Sequence, residues 1–169
     1  HVVVWETATG KKIKELEAPG FYTWDPKQRR HSIGGIRSLA FSADSKLLSI
    51  GGIGKIGNID HLGGPSRIEI HDWQAAKKLH TIEDNKLKGL VEQMEFAADG
   101  SWILAAGGDH GGFVSFYNVA TGKLIKQEKA PMHVHQFSTT EDQTRLFAVG
   151  HQKIAVYDFG SDKPRRPAA

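Results

Sequence analysis

The chain has 169 residues, a formal net charge of +3 and no cysteine. Its length suits one domain that buries roughly two thirds of its unfolded surface, and its mild positive charge is well short of that of a polybasic nucleic-acid binder. The missing cysteines exclude a disulfide framework, a thiolate nucleophile and a cysteine-ligated metal site, and no apolar run reaches membrane-spanning length.

Two short strands are predicted before residue 18, at residues 1–6 and 12–17. The turn Thr9-Gly10-Lys11 separates them, because glycine accepts the backbone angles of a tight turn. Residues 18–35, APGFYTWDPKQRRHSIGG, form an insertion rich in Pro, Gly and charge. We predict a long loop without strands there, and such loops are usually functional or disordered.

Further along the chain, runs of strand length alternate with turn residues. The predicted strands are 36–41, 47–51, 67–73 and 77–82, then 91–96, 102–106, 113–117 and 124–128, then 132–137, 146–149 and 153–159. A second insertion occupies residues 53–64, and the glycine-rich residues 107–112 are predicted to be irregular. Residues 160–169, GSDKPRRPAA, have too little apolar content to pack and are predicted to be a flexible tail.

The strand ends form an internal repeat. Trp5, His71, Tyr117 and Tyr157 stand at equivalent positions, about 66, 46 and 40 residues apart, which gives a base period of roughly 40. A turn of the type Phe-Ser-Ala-Asp comes about one strand before each of the last three. These turns lie at residues 41–45, 96–100 and 137–142.

This repeat resembles that of the WD40 proteins. Trp5-Glu6, His71-Asp72, Tyr117-Asn118 and Tyr157-Asp158 stand at the family's Trp-Asp position, and the resemblance covers the chain up to about Phe159. It implies an all-β fold of β-propeller blades, each a four-stranded antiparallel meander, arranged as an open arc of about three and a half blades. It also implies a longer, seven-bladed parent chain that supplies the remaining blades.

The resemblance divides residues 1–159 into parts of a propeller segment. Those parts are a half blade at 1–17, complete blades at 36–83 and 90–129, and a three-stranded last blade at 132–159. Loops alternate between the two ends of such a meander, so both insertions fall at one end, beside His110 and His151. Function tends to lie in loops that a rigid scaffold carries.

The first insertion combines aromatic and basic side chains, which are common in interface hot spots. Phe21 and Lys27 belong to this patch, and we predict that five further residues contact a partner: Tyr22, Trp24, Arg29, Arg30 and His31. Such side chains could also stack on nucleic acid, but the opposite turns carry a similar charge, so a nucleic-acid partner is not expected. Alternatively, both insertions are neutral surface loops, which proteins tolerate well.

Nine histidines raise the possibility of a metal site, with His61, His110 and His151 at one end. However, no His-x-x-x-His or Glu-flanked zinc pattern is present. His135 occupies the position of Leu39 and Met94 in the other copies, so we predict a hydrogen-bonded core histidine there. We therefore predict no metal ligands and no cofactor.

No catalytic motif stands out either. The chain lacks a Gly-x-Ser-x-Gly elbow, and the glycine-rich residues 51–54 precede no predicted helix that could cradle a phosphate. We therefore predict no catalytic residues. The predicted function is a non-catalytic protein–protein interaction scaffold of WD40 type, soluble, with the cytoplasm slightly favoured. The alternative is an enzyme or a ligand- or metal-binding propeller with its site at the mouth of the central channel.

Overall fold

The computed structural model describes residues 1–27, 30–57 and 63–159, and these residues form an all-β structure. Within these ranges the single helical element is a 3₁₀ turn at Pro19–Phe21. The predicted tail at 160–169 lies outside the described residues. Among the described residues, no helix is long and apolar enough to cross a membrane.

The strands form meanders in which each strand pairs with its neighbour in the chain, always antiparallel. The first sheet contains β1 (Val2–Trp5) and β2 (Lys12–Leu16), and a small hairpin contains β3 (Tyr22–Trp24) and β4 (Ser32–Gly34). A four-stranded sheet contains β5 (Ile36–Phe41), β6 (Leu47–Ile53), β7 (Ser66–Asp72) and β8 (Lys77–Asp84). A second contains β9 (Leu90–Phe96), β10 (Trp102–Gly108), β11 (Gly112–Asn118) and β12 (Leu124–Ala130). The last contains β13 (Val134–Thr139), β14 (Arg145–Gly150) and β15 (Lys153–Asp158). No sheet closes on itself in the described part of the chain.

Three apolar cores lie between successive sheets, so the sheets pack face to face in chain order. Leu16 of β2 packs with Leu48 and Ile50 of β6, and Ile68 and Ile70 of β7 pack with Met94 and Phe96 of β9. Leu104 of β10 and Val114 of β11 pack with Leu146 and Ala148 of β14. The central strands β6 and β10 are buried on both faces, which explains their unbroken runs of apolar and small residues.

The turns that follow β5, β9 and β13 are one repeated structure. Ser45, Gly100 and Gln143 all have positive φ, at 57°, 74° and 53°. Each donates its backbone N–H to the carbonyl three residues earlier, at 2.8, 2.9 and 2.8 Å. The turns predicted at 41–45 and 96–100 are therefore confirmed, whereas the third lies at 140–143, later than the predicted 137–142, because residues 137–139 still belong to the strand.

In each of the three larger sheets, a glycine at or near the end of the second strand lets the backbone lie very close to the start of the first strand. A Cβ at Gly52, Gly107 or Gly150 would lie 2.2, 1.8 or 1.9 Å from the carbonyl oxygen of Gly35, Leu90 or His133, respectively. The prediction that residues 107–112 are irregular was therefore wrong in part. β10 extends through Gly108 and β11 begins at Gly112, because these glycines serve close backbone contact within a regular sheet.

Side chains of the first strands also tie neighbouring sheets together. Ser38 of β5 donates to the carbonyl oxygen of Val91 in β9, at 2.9 Å. Gln93 of β9 accepts a hydrogen bond from the backbone N–H of Phe137 in β13, at 2.7 Å, and donates to the carbonyl oxygen of the same residue, at 3.0 Å. The Gln93 amide therefore pairs with β13 much as another strand would.

The first insertion is more regular than predicted. Instead of a long loop, its described residues, 18–27 and 30–35, form the 3₁₀ turn and the β3–β4 hairpin. Exposed and partly buried side chains alternate along both strands of this hairpin, Tyr22-Thr23-Trp24 and Ser32-Ile33-Gly34. This alternation is typical of strands, because one face is exposed and the other packs against the body of the protein.

Candidate interaction face

The β3–β4 hairpin presents two aromatic side chains to solvent. Trp24 pairs with Ser32 and Tyr22 pairs with Gly34 across the hairpin. Because alternate residues of a strand point to the same side, Tyr22 and Trp24 share one face. Their exposed fractions are 44% and 61%, so this face presents a large apolar area for contact.

Two of the three predicted basic residues, Arg30 and His31, lie next to β4 of the same hairpin. Arg30 has a φ of 53° and is exposed, and His31, also exposed, precedes β4. Asp25 is buried, donates its N–H to the His31 carbonyl at 3.1 Å, and accepts the Lys27 N–H on its carboxylate at 3.0 Å. The hairpin therefore brings together four of the five predicted contact residues, and the fifth, Arg29, lies outside the described residues.

The opposite face of the hairpin joins it to the second insertion. The backbone N–H of Ile56 donates to Oγ1 of Thr23 at 2.9 Å. Ile33 packs on a small apolar cluster of Ile53, Ile56 and Leu90. The two insertions are thus in contact, as the alternation of loop ends predicts. We call this end of the sheets the insertion end.

Phe21 does not belong to the contact patch, contrary to the prediction. Its side chain is fully buried in the core between β2 and β6. The guanidinium carbon of Arg67 lies 5.4 Å from the centre of its ring, a cation–π contact. Phe21 directly precedes β3, so its buried ring anchors the hairpin to the sheets. Its place next to the strand is the feature of the sequence that indicates this role.

A buried carboxylate, Glu69, was missed by the sequence reasoning. It is fully buried in β7 and accepts hydrogen bonds from Arg67 Nε at 3.1 Å and Lys78 Nζ at 3.3 Å. His71 Nε2 lies 3.0 Å from its other oxygen. Burial alone would raise the pKa of Glu69, but the hydrogen bonds from His71 and Arg67 and the nearby positive charges outweigh it and lower that pKa to about 2. Little in the sequence indicated this burial, because polar and apolar residues alternate in β7 and such a pattern predicts that Glu69 is exposed.

The prediction of a core histidine at position 135 was wrong. Phe137 stands at the position of Leu39 and Met94, because His135 is the bulged residue between Val134 and Gln136, as Arg37 is in β5 and Glu92 in β9. His135 is therefore exposed, while Val134 stays buried. Its ring stacks on His133, with the centroids 4.7 Å apart, and meets the edge of His151 at 4.5 Å.

Burial lowers the pKa of His133, whereas the carboxylate of Glu92, whose Oε1 lies 3.3 Å from its Nε2, acts in the opposite direction. His61 lies outside the described residues. Within the described part of the chain, no group of three or more His, Asp or Glu side chains is arranged to hold a metal ion.

Comparison with known proteins extends to the fold alone. No family model matches the sequence, and no curated protein matches it. Solved structures do match, and one of them is a crystal structure of the eukaryotic initiation factor, with a TM-score of 0.56 and 19% sequence identity. That match covers 78% of this chain but 31% of the initiation factor chain, so this chain spans less than a third of that protein. At this identity the likeness shows a shared fold.

Proposed function

We propose that the four successive sheets are blades of a WD40-type β-propeller and that the chain is a non-catalytic scaffold that binds a protein partner at its insertion end. The meander order and the face-to-face packing of the sheets support the propeller. The spacing of the repeat supports the resemblance to WD40 proteins. The initiation factor supports the fold and assigns no partner to this chain.

The observation that carries this function is the exposed aromatic face of the β3–β4 hairpin. Tyr22 and Trp24 are exposed on a hairpin that is fixed from behind by Thr23, Ile33 and Phe21. A rigid aromatic pair loses little conformational entropy on binding, and such residues dominate the energetics of protein interfaces. Arg30 adds a planar group of hydrogen-bond donors at the edge of this face.

The test is a pull-down with the full chain as bait, followed by a titration of the partner that is captured in stoichiometric amount. We expect the double variant Tyr22→Ala/Trp24→Ala to weaken binding at least about tenfold, since truncation of a hot-spot residue costs about 2 kcal/mol or more. Trp5→Ala is the matched control, because Trp5 is 56% exposed in β1, away from the insertion end. Circular dichroism checks that each variant is folded.

Two results would contradict the proposal. The first is a partner that is retained by the hairpin variant but lost on charge reversal of Lys77 and Lys123, which follow turns at the opposite end of the sheets. The second is a metal or small molecule that copurifies in stoichiometric amount when no protein does, detected by mass spectrometry. The second result would favour the alternative of a site at the mouth of the channel.

A further inference from the structure

A second feature of the insertion end is a hollow of about 260 Å³ between residues 85–89, which connect β8 to β9, and the turn at 109–111. Lysines dominate its rim. The side chains that define it are Lys86, Leu87, Lys88, Asp109, His110 and Lys129. We call it the lysine hollow.

The backbone around the lysine hollow is fixed by close contacts. A Cβ at Gly89 would lie 2.2 Å from the carbonyl carbon of Gly108. The two walls therefore meet so closely that there is no room for a side chain at Gly89. On one wall, the backbone N–H of Lys86 donates to the carboxylate of Asp84 at 2.7 Å. On the other, the N–H of Asp109 donates to the carbonyl of Gly111 at 2.9 Å. The hollow therefore exists before any ligand arrives.

In the described part of the chain, no carboxylate forms an ion pair with the ammonium groups of Lys86, Lys88 and Lys129, the lysines of the hollow. Some lysines elsewhere do form ion pairs: Lys12 pairs with Glu15 at 2.9 Å, Lys46 with Asp44 at 3.0 Å, and Lys78 with Glu69 at 3.3 Å. Three unpaired cations around one hollow leave a local excess of positive charge that an anionic ligand would neutralise.

The lysine hollow is continuous with the hairpin. Gly89 in its wall donates its N–H to the carbonyl of Gly64 in the second insertion, at 3.2 Å. The next residue, Leu90, packs on Ile56 and Ile33, the latter in β4. These contacts hold the hairpin and the lysine hollow in place at the same end of the sheets, so one partner can reach both.

We propose that the lysine hollow receives carboxylate side chains from an acidic segment of the protein partner. This inference rests on the proposed function, since it names the chemistry of the partner that binds at the insertion end. The hollow has room for one or two side chains, and lysine ammonium groups act as point charges that do not require a planar ligand. Leu87 provides an apolar contact for the methylene groups of an acidic side chain.

The small size of the hollow and the modest net charge of the chain favour an acidic peptide over nucleic acid. Asp109 lies among the lysines and would repel a phosphate and a carboxylate alike, so it does not distinguish the two ligands. A nucleic acid needs an extended basic track, whereas the whole chain has a net charge of only +3.

The test is fluorescence anisotropy with a fluorescein-labelled hexaglutamate peptide, the full chain, and single-stranded oligo-dT of equal charge as competitor. We expect the peptide to bind, and the triple variant Lys86→Glu/Lys88→Glu/Lys129→Glu to weaken its binding at least about tenfold. The matched control is Lys11→Glu/Lys77→Glu/Lys123→Glu, which makes the same change of charge at the opposite end and should preserve most of the affinity.

Three outcomes would overturn the proposal: no binding of hexaglutamate, equal losses in the two triple variants, or preferential binding of oligo-dT with a steep dependence on salt. The variant Tyr22→Ala/Trp24→Ala separates this proposal from the proposed function. If it leaves binding of the natural partner intact while the lysine variant still loses hexaglutamate, then the hairpin proposal fails and the lysine hollow stands.

Discussion

At the scale of single residues, Glu69 shows how a charge can be kept inside an apolar sheet. Its carboxylate is shared by Arg67, His71 and Lys78, which come from β7 and β8. Arg67 in turn covers the ring of Phe21 and pairs with Glu83. The network therefore connects the outer strands of one sheet to the residue that anchors the hairpin.

We predict that Glu69→Gln lowers the free energy of unfolding by about 3 kcal/mol or more at pH 7, because it leaves the cations of a buried network without their partner. The control Glu15→Gln removes a carboxylate that pairs with Lys12 at the surface, and it should cost less than about 1 kcal/mol. Urea denaturation measures both. Equal losses would show that the network contributes no more than a surface pair.

The pH dependence of this network follows from the pKa of Glu69, which falls from an ordinary value of 4.5 to about 2 in the folded chain. A lowered pKa means that the stabilisation is complete above about pH 4.5 and is lost as the pH falls toward 2. We expect the difference in unfolding free energy between the wild type and Glu69→Gln to shrink over this window. A difference that stays constant down to pH 2.5 would contradict the assignment.

At the scale of strands, glycines at or near the ends of β6, β10 and β14 let each of these strands lie very close to the start of the first strand of its own sheet. We predict that Gly107→Ala lowers the free energy of unfolding by about 1–3 kcal/mol, because its Cβ would collide with the Leu90 carbonyl and the backbone would have to shift. Gly111→Ala is the control, since its Cβ would meet only Lys129, at 3.8 Å. Similar denaturation midpoints for the two variants would count against this role.

Local patterns in the sequence predicted the strands of the large sheets, because each strand is a run of apolar or alternating residues closed by a turn. They did not predict where glycine belongs inside a strand, since the need for Gly107 arises from a carbonyl that is distant in the sequence. The outward orientation of His135 depends on a bulge, and the burial of Phe21 on a core formed by β2 and β6. For the candidate site, the composition of the first insertion predicted which aromatic and basic residues belong to it. It did not predict how they are positioned, because their arrangement depends on contacts between the two insertions.

At the scale of the whole molecule, the outer face of the β13–β15 sheet differs from its equivalents. Ile154 in β15 corresponds in the repeat to Ile68 in β7 and Val114 in β11, which are 2% and 0% exposed, yet Ile154 is 70% exposed. Phe147 and Val149 of β14 lie on the same face and are each 41% exposed. An apolar face of this kind favours association with other surfaces.

We predict that the chain self-associates through this face as its concentration rises, which light scattering coupled to size-exclusion chromatography measures. Phe147→Glu/Ile154→Lys should shift it toward the monomer. Ile125→Lys, on β12, is the control because Ile125 is also highly exposed, at 57%, but lies on another sheet. A chain that remains monomeric at high concentration, or association that the control removes equally, would contradict the prediction.

The hydrogen bond from the Phe137 N–H to the Gln93 side chain allows separation of two neighbouring sheets to be measured. The N–H of Phe137 is held by a side chain of the neighbouring sheet and not by a strand of its own ladder. Exchange of that hydrogen with deuterium therefore requires β9 and β13 to separate, whereas exchange within the β13–β14 ladder reports the opening of a single sheet. This one hydrogen thus distinguishes the loss of contact between repeats from the unravelling of a repeat.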